Sequence, residues 1–176
     1  MSNQQTKKIV YVSLSIAIGL LLPFIVNMLP IAYPGAVLLP MHIPVLICGF
    51  VVGGRYGLIA GLLLPPLSFF LTGMPPIFPT GVSMMLELAT YGLLTGLLFK
   101  LTNGKIVVSL IGAMIGGRII YGIVNAIIFG VSGTSFGMEA FIGGAFITAL
   151  PGIIIQFIII PPIVHALRSA RLIIEN

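Results

Sequence analysis

The feature that most constrains this chain is its long apolar runs, which charged residues rarely interrupt. Residues 9–28 form the first run, and about 20 apolar residues are enough for one helix to cross the hydrocarbon core of a bilayer. Charged residues make up only 6% of the sequence, whereas a soluble domain carries roughly a quarter. Lipid must therefore be the solvent for most of the surface, and the sequence predicts an integral membrane protein without a soluble domain.

Proline-rich and polar segments divide the chain into six predicted spans, which form a single transmembrane domain over residues 1–176. The predicted spans are residues 9–29, 42–54, 57–71, 80–99, 106–130 and 138–167. The second is short for a bilayer, so it either extends into the preceding loop or is partly re-entrant. We predict no helix in that loop, residues 30–40, because prolines interrupt it. The expected fold is an all-α bundle of six transmembrane helices.

Basic residues alternate regularly with the predicted spans. They precede the first span, follow the sixth, and lie between spans two and three and between spans four and five. These residues are Lys7, Lys8, Arg55, Lys100, Lys105, Arg168 and Arg171. The connections after spans one, three and five contain no Lys or Arg. Because basic loops stay in the cytoplasm, the alternation predicts an even number of spans and cytoplasmic N- and C-termini.

The three remaining connections, residues 30–40, 72–79 and 132–137, are rich in Pro, Gly, Ser and Thr and almost uncharged. Irregular backbone of this kind cannot satisfy its hydrogen bonds in lipid, so it lies at the surface or over a cavity. Two interpretations remain open. The connections either cover a pocket that opens to the outside or are ordinary links between helices.

Glu87 is the most informative polar residue, since it lies in the fourth predicted span, roughly 10 Å from the outer end at helical rise. A carboxyl group at that depth is costly and seldom faces lipid. Ser83 and Tyr91 lie one turn before and one turn after it, so the three side chains share one helix face. The stripe is a candidate ligand site; the alternative is a protonated Glu87 hydrogen-bonded to a neighbouring helix.

A second polar face lies on the fifth span, where Tyr121 and Asn125 follow Arg118 at helical spacing. Arg118 could pair with Glu87, bind a substrate anion, or extend toward the inner surface along its aliphatic stem. Asn125 is nearer the outer end and is the better site candidate of the two.

Three further polar residues complete the set of candidates within the spans. His42 begins the second span at its outer end and could close a pocket or bind a ligand. Thr148 lies in the sixth predicted span, at a depth comparable to that of Glu87. Gln156 is deeper, and we interpret it as a hydrogen-bonding residue between helices.

Several kinds of chemistry are missing from the sequence. It contains no P-loop, no HExxH zinc motif and no GxSxG nucleophile motif. Its one cysteine, Cys48, excludes an intramolecular disulfide and a metal site built from several cysteines. The basic residues are not grouped with aromatic residues, as a nucleic-acid surface requires. We expect no catalytic residue, metal or cofactor in this chain, and any ATP hydrolysis would occur in partner subunits.

Four segments carry a resemblance to a known family: residues 40–46 (PMHIPVL), 53–57 (GGRYG), 71–76 (LTGMPP) and 87–92 (ELATYG). Together with the six-span layout, they resemble the substrate-binding S component of an energy-coupling factor (ECF) transporter. These are small vitamin-binding membrane proteins of prokaryotes, so the resemblance implies a multi-pass protein of the plasma membrane.

The resemblance also implies partners and a mode of action. An S component binds a vitamin or precursor in a pocket in its outer half and associates with a transmembrane coupling subunit and two ATPase subunits. It reorients bodily in the membrane to deliver its ligand. Family members contact the coupling subunit through an Ala-x-x-x-Ala pattern on the first span, to which Ser13 and Ala17 correspond here, with Ser in place of the first Ala.

The polar residues narrow the range of substrates without fixing one. Glu87 suits a ligand with ring N–H or amino donors, and Tyr91 and Tyr121 could stack on a ring. These residues favour a small heteroaromatic compound of the hydroxymethylpyrimidine, pyridoxine or benzimidazole type. Pantothenate is the main alternative, with Arg118 holding its carboxylate. In a hypothesis of another class, the protein is a ligand-free membrane scaffold in which Glu87 and Arg118 pair internally.

Overall fold

A computed structural model of the chain describes residues 3–131 and 143–174, and these residues are helical with no strand among them. The described residues form seven α-helices and two single π-helical turns. The helices are α1 (Asn3–Asn27), α2 (Pro34–Leu38), α3 (His42–Val52), α4 (Gly54–Thr72), α5 (Val82–Leu101), α6 (Ile106–Val131) and α7 (Leu150–Ser169). The π turns are Ile77–Gly81 and Gly143–Ile147. The described residues contain six segments long and apolar enough to cross a membrane, which confirms the predicted all-α, six-span fold.

The second span differs from the prediction, because the loop before it is partly helical. The short helix α2 lies inside the stretch 30–40, where we predicted none, so that prediction is wrong. Pro34 stands at the first position of α2, where a missing N–H costs no hydrogen bond and the fixed φ suits a helix. Helices α2 and α3 together form the 19-residue span Pro34–Val52, which resolves the apparent shortness of the predicted second span.

The structure describes only the later part of the sixth span. Its predicted start at residue 138 and the predicted loop 132–137 lie outside the described residues. The described helix of this span, α7, begins at Leu150 with Pro151 in its first turn, and it continues through Pro161 and Pro162. Proline is well accommodated in the first turn of a helix, which explains why α7 starts here.

Helix α3 lies at the centre of the bundle, with nine of its eleven residues buried. It packs against α1, α4, α5 and α7. Its buried side chains, among them Leu46 and Phe50, join Tyr91 of α5 and Leu110 of α6 in the main apolar core. His42, the first residue of α3, is only 1% exposed, so its imidazole lies in the interior of the bundle.

Helices α4 and α5 approach each other closely through glycines. A Cβ atom on Gly92 would overlap the backbone of Gly57, and one on Gly57 would overlap Gly92. Contacts of this kind, in which small residues let two backbones touch, are a common basis of helix packing in membranes. The contact fixes α5 against α4 little more than one turn from Glu87.

Six of the eight Lys and Arg residues line one end of the bundle, around a concavity of about 1600 Å³ that we call the basic concavity. Its basic side chains are Lys7, Lys8, Arg55, Lys100, Arg168 and Arg171. Arg168 donates a hydrogen bond to the Gly104 carbonyl oxygen at 3.3 Å, which joins the end of α7 to the α5–α6 turn. The alternation of basic residues along the sequence therefore corresponds to a single end of the folded chain.

Candidate functional site

A buried ion pair joins α5 to α6 in the interior of the bundle. Arg118 Nη1 lies 2.9 Å from Glu87 Oε1, and the two side chains are only 7% and 3% exposed. Of the alternatives for Arg118, the structure therefore shows the pairing with Glu87. Such a pair offsets part of the cost of burying either charge alone.

His42 approaches the same carboxylate from α3. Its Nε2 atom lies 3.7 Å from Glu87 Oε2, which is close but beyond the length of a hydrogen bond. Its ring centroid lies 5.4 Å from that of Tyr91, with the ring planes at 60°. The cluster of His42, Glu87, Tyr91 and Arg118, which we call the polar cluster, therefore unites three helices around one carboxyl group.

A hydrogen-bonded pair extends the polar face one turn along α5 from Glu87. Ser83 Oγ lies 3.1 Å from Asn125 Oδ1 and 3.2 Å from the Pro79 carbonyl oxygen, so its proton can be donated to either. Asn125 Nδ2 donates to the Tyr121 carbonyl oxygen at 2.7 Å. The Ser83–Asn125 pair links α5 to α6 and connects both to the π turn that contains Pro79.

Several polar atoms of the polar cluster have no hydrogen-bond partner among the described residues. They are both ring nitrogens of His42, the Tyr91 hydroxyl, Nε and Nη2 of Arg118, and Glu87 Oε1, whose 2.9 Å contact with Arg118 Nη1 is an ion pair. A buried polar group without a partner costs about 1–3 kcal/mol. All four side chains are buried. Their unpartnered atoms are mostly donors, with the carboxylate oxygen of Glu87 and one imidazole nitrogen as acceptors, and a polar molecule bound here could satisfy them.

The remaining predicted residues lie elsewhere or contribute differently. Tyr121 is half-buried, and its backbone oxygen accepts the hydrogen bond from Asn125. Thr148 is exposed in the turn before α7, where its N–H donates to the Gly143 carbonyl oxygen, so it does not join the polar cluster. Ser13 and Ala17 are exposed on α1, the span with the smallest buried fraction.

Gln156 is a site candidate that the sequence analysis assigned instead to hydrogen bonding between helices. It is fully buried on α7, and neither atom of its side-chain amide has a hydrogen-bond partner among the described residues. The expected bond to another helix is therefore absent from the described part of the chain. Its polarity and its central position in an otherwise apolar span were the signals that could have marked it as a candidate for the site.

Metal binding has little support in the described part of the chain, where no three His, Cys, Asp or Glu side chains are grouped closely enough to hold an ion. The polar cluster supplies one imidazole, one carboxylate, one phenol and one guanidinium. Chemically, this combination is suited to binding and orienting a polar molecule through hydrogen bonds and charge.

Comparison with known proteins identifies the family of the chain. A search of curated proteins and a search of solved structures each give no match. The model of one family, described as "ECF transporter, substrate-specific component", matches residues 7–164, which is most of the chain. The predicted resemblance is thereby confirmed, and with it the assignment to membrane transport and substrate binding. This chain belongs to the family of substrate-specific components of ECF transporters.

Proposed function

We propose that this chain captures a vitamin or vitamin precursor in the polar cluster and delivers it to an ATP-driven importer. The observation that carries the proposal is the set of buried, unpartnered atoms on His42, Tyr91 and Arg118, which surrounds the carboxylate of Glu87. A protein that only needed to be stable would gain from apolar residues here, since a partly satisfied polar network weakens a core.

The location of the polar cluster supports an outward-facing site. Glu87 precedes Lys100 on α5, and Arg118 follows Lys105 on α6, each by 13 residues. At the helical rise of about 1.5 Å per residue, the polar cluster lies about 20 Å from the basic end. Basic residues favour the cytoplasmic side, so we assign the basic end and both termini to the cytoplasm and the polar cluster to the outer half of the plasma membrane.

The hydrogen-bonding capacity of the polar cluster indicates what its ligand offers. The unpartnered atoms are mainly donors, namely two nitrogens of Arg118, the hydroxyl of Tyr91 and one nitrogen of His42. A small heteroaromatic compound of the hydroxymethylpyrimidine, pyridoxine or benzimidazole type presents ring nitrogens or hydroxyls to these donors. Its own N–H or O–H groups can bond Glu87 Oε2, and its ring can pack on Tyr91.

Pantothenate is the second candidate, and a specific observation favours it. Arg118 uses Nη1 for Glu87, while its Nε and Nη2 atoms have no partner among the described residues. These two nitrogens form one edge of the guanidinium plane, the edge that binds a carboxylate in bidentate fashion. A ligand carboxylate on this edge would share Arg118 with Glu87.

Ligand entry requires the outer connections to open. The segment after α4 is held by hydrogen bonds from Ser68 Oγ to the Met74 carbonyl oxygen at 2.7 Å and from Gly81 N to the Pro76 carbonyl oxygen at 2.8 Å. It continues into the π turn that contacts Ser83. We infer that this segment moves with α5 when a ligand enters or leaves.

Delivery depends on partners that this chain does not contain. ECF S components work with a module of one transmembrane coupling subunit and two ATPase subunits. We propose that the exposed face of α1 around Ser13 and Ala17 contacts the coupling subunit, since small side chains allow close helix approach. ATP hydrolysis in the module would then drive uptake.

The proposal is tested by screening the purified full-length chain in detergent against a hydroxymethylpyrimidine, pyridoxine, a benzimidazole and pantothenate. Thermal unfolding and native mass spectrometry would report binding. One of these compounds should raise the melting temperature and remain bound in the mass spectrum. If the folded protein binds none of them and none co-purifies, the ligand-free scaffold becomes the better account, with the Glu87–Arg118 pair serving only the fold.

A further inference from the structure

Gln156 lies on the buried face of α7. It is 0% exposed, and it shares this face with Gly152, Ile160 and Val164, which precede and follow it at intervals of four residues. Ile160 and Val164 belong to the main apolar core. The side-chain amide of Gln156 therefore lies inside the bundle and not against lipid.

The buried amide of Gln156 is left without a hydrogen bond. Neither Oε1 nor Nε2 has a partner among the described residues. Most buried polar atoms in proteins have a partner, and each one that lacks it costs about 1–3 kcal/mol. An apolar side chain of the same length would continue this face of α7 without that cost. The amide is therefore available to a group that the described residues do not supply.

The packing of α7 brings Gln156 to about the depth of His42. A Cβ atom on Gly152 would lie 2.8 Å from the carbonyl carbon of Leu38, so the first turn of α7 touches the end of α2. Gln156 is one helical turn further along α7, and His42 follows Leu38 by the same four residues. Helices α3 and α7 both run from there toward the basic concavity, so the two side chains lie at similar depths.

Helix α7 also borders two of the three helices that form the polar cluster. It packs against α3, which carries His42, and against α6, which carries Arg118. Among the buried residues of α7, Gln156 is the only one with a polar side chain. Gln156 is therefore the residue through which α7 can extend the polar cluster to a fourth helix.

We propose that Gln156 is a specificity-determining residue of the ligand site, and that it selects a ligand ring with an amino group next to a ring nitrogen. We call this pair of atoms the aminopyrimidine edge. A primary amide presents one acceptor and one donor side by side, which is the complement of that edge. Asn and Gln bind the amino group and ring nitrogen of adenine in the same way. The inference rests on the proposed function, in which the polar cluster holds the other polar groups of the ligand.

The amide of Gln156 distinguishes between compounds that the polar cluster leaves open. A hydroxymethylpyrimidine with an amino group has the aminopyrimidine edge. Pyridoxine has no amino group, and the two ring nitrogens of a benzimidazole point away from each other. In pantothenate, the N–H and C=O of the trans amide point in opposite directions, so one Gln side chain cannot bond both. The inference therefore narrows the proposed ligand class to aminopyrimidines.

The experiment measures dissociation constants of the purified full-length chain by isothermal titration calorimetry. Its two ligands are an amino-hydroxymethylpyrimidine and the same compound without the amino group. The wild-type chain should bind the amino compound at least about tenfold more tightly, or ~1.4 kcal/mol, as expected for one bidentate pair. Gln156→Met keeps the length of the side chain and should reduce this preference to less than about twofold. Ile154→Met is the matched control, because Ile154 is 50% exposed on α7, and it should keep the preference.

Thermal unfolding without ligand gives a second readout that does not depend on binding. Because the amide has no partner among the described residues, Gln156→Met should not lower the melting temperature relative to Ile154→Met. A clear loss of stability in Gln156→Met would show that another part of the chain bonds the amide, and that result would overturn the proposal.

The binding results separate this inference from the proposed function. If the wild-type chain binds pyridoxine, a benzimidazole or pantothenate but not the amino compound, the proposed function stands and selection by Gln156 is wrong. Equal affinity for the two matched pyrimidines, or a preference that survives in Gln156→Met, also refutes selection by Gln156 alone. If the folded wild-type chain binds none of these compounds, the proposed function and this inference both fail.

Discussion

Replacing Glu87 by Gln would leave the guanidinium of Arg118 buried without its counter-charge. At the observed 2.9 Å, and with an effective dielectric constant of about 20, the Coulomb attraction in this pair is about 6 kcal/mol. Part of that attraction offsets the desolvation of the two groups, and breaking a buried pair from one side costs about 3–5 kcal/mol. We expect Glu87→Gln and Arg118→Gln each to lower the free energy of unfolding by an amount in that range.

The double variant Glu87→Gln/Arg118→Gln distinguishes an ion pair from two independent polar residues. Because it removes both charges, it should be less destabilised than the sum of the single variants, by at least about 2 kcal/mol. The assay is the unfolding equilibrium of the purified chain in mild detergent, titrated with a denaturing detergent. Strictly additive losses in the double variant would refute the view that the two charges depend on each other.

Three further predictions concern packing, the Ser83–Asn125 pair and the partner surface. Gly92→Ala should destabilise the fold by about 1–3 kcal/mol, because the new Cβ meets the Gly57 backbone. Gly130→Ala is the control, since Gly130 has open space around it, and equal melting temperatures of the two variants would contradict the prediction. Ser83→Ala should cost about 1 kcal/mol in detergent unfolding by removing the donor to Asn125, and no loss would exclude a stabilising bond. Ala17→Leu should reduce uptake in cells that express the ATPase module while ligand affinity stays unchanged, and normal uptake would argue against this face of α1.

The number of spans and their common basic end could be predicted because both depend on local properties. An apolar run of sufficient length must be helical in lipid, and basic residues must avoid the hydrocarbon. The pairing of Glu87 with Arg118 could be named only as one of three alternatives. The spacing of residues within a helix shows which side chains share a face, but it does not show how far that face lies from another helix. Close contact between α4 and α5 through glycines sets part of that geometry.

The wrong or incomplete predictions also have physical causes. A helix was not expected before His42, because Pro34 was treated as a breaker although it starts α2. Thr148 was assigned a depth by counting from residue 138, which lies outside the described residues. The structure has Thr148 in an exposed turn just before Leu150. Gln156 was assigned to hydrogen bonding between helices. Which side chains surround it depends on the packing of α7, and its position in the sequence does not reveal that packing.

The central claim is that the polar cluster binds the ligand, and Tyr91→Phe tests it most directly. The Tyr91 hydroxyl is buried beside Glu87 and makes no hydrogen bond of good geometry among the described residues, so its removal should change the melting temperature of the ligand-free protein little. The same change should weaken binding of the compound identified in the vitamin screen by about three- to tenfold, because the ligand loses one hydrogen bond. An unchanged dissociation constant, measured by isothermal titration calorimetry on the folded variant, would contradict the account.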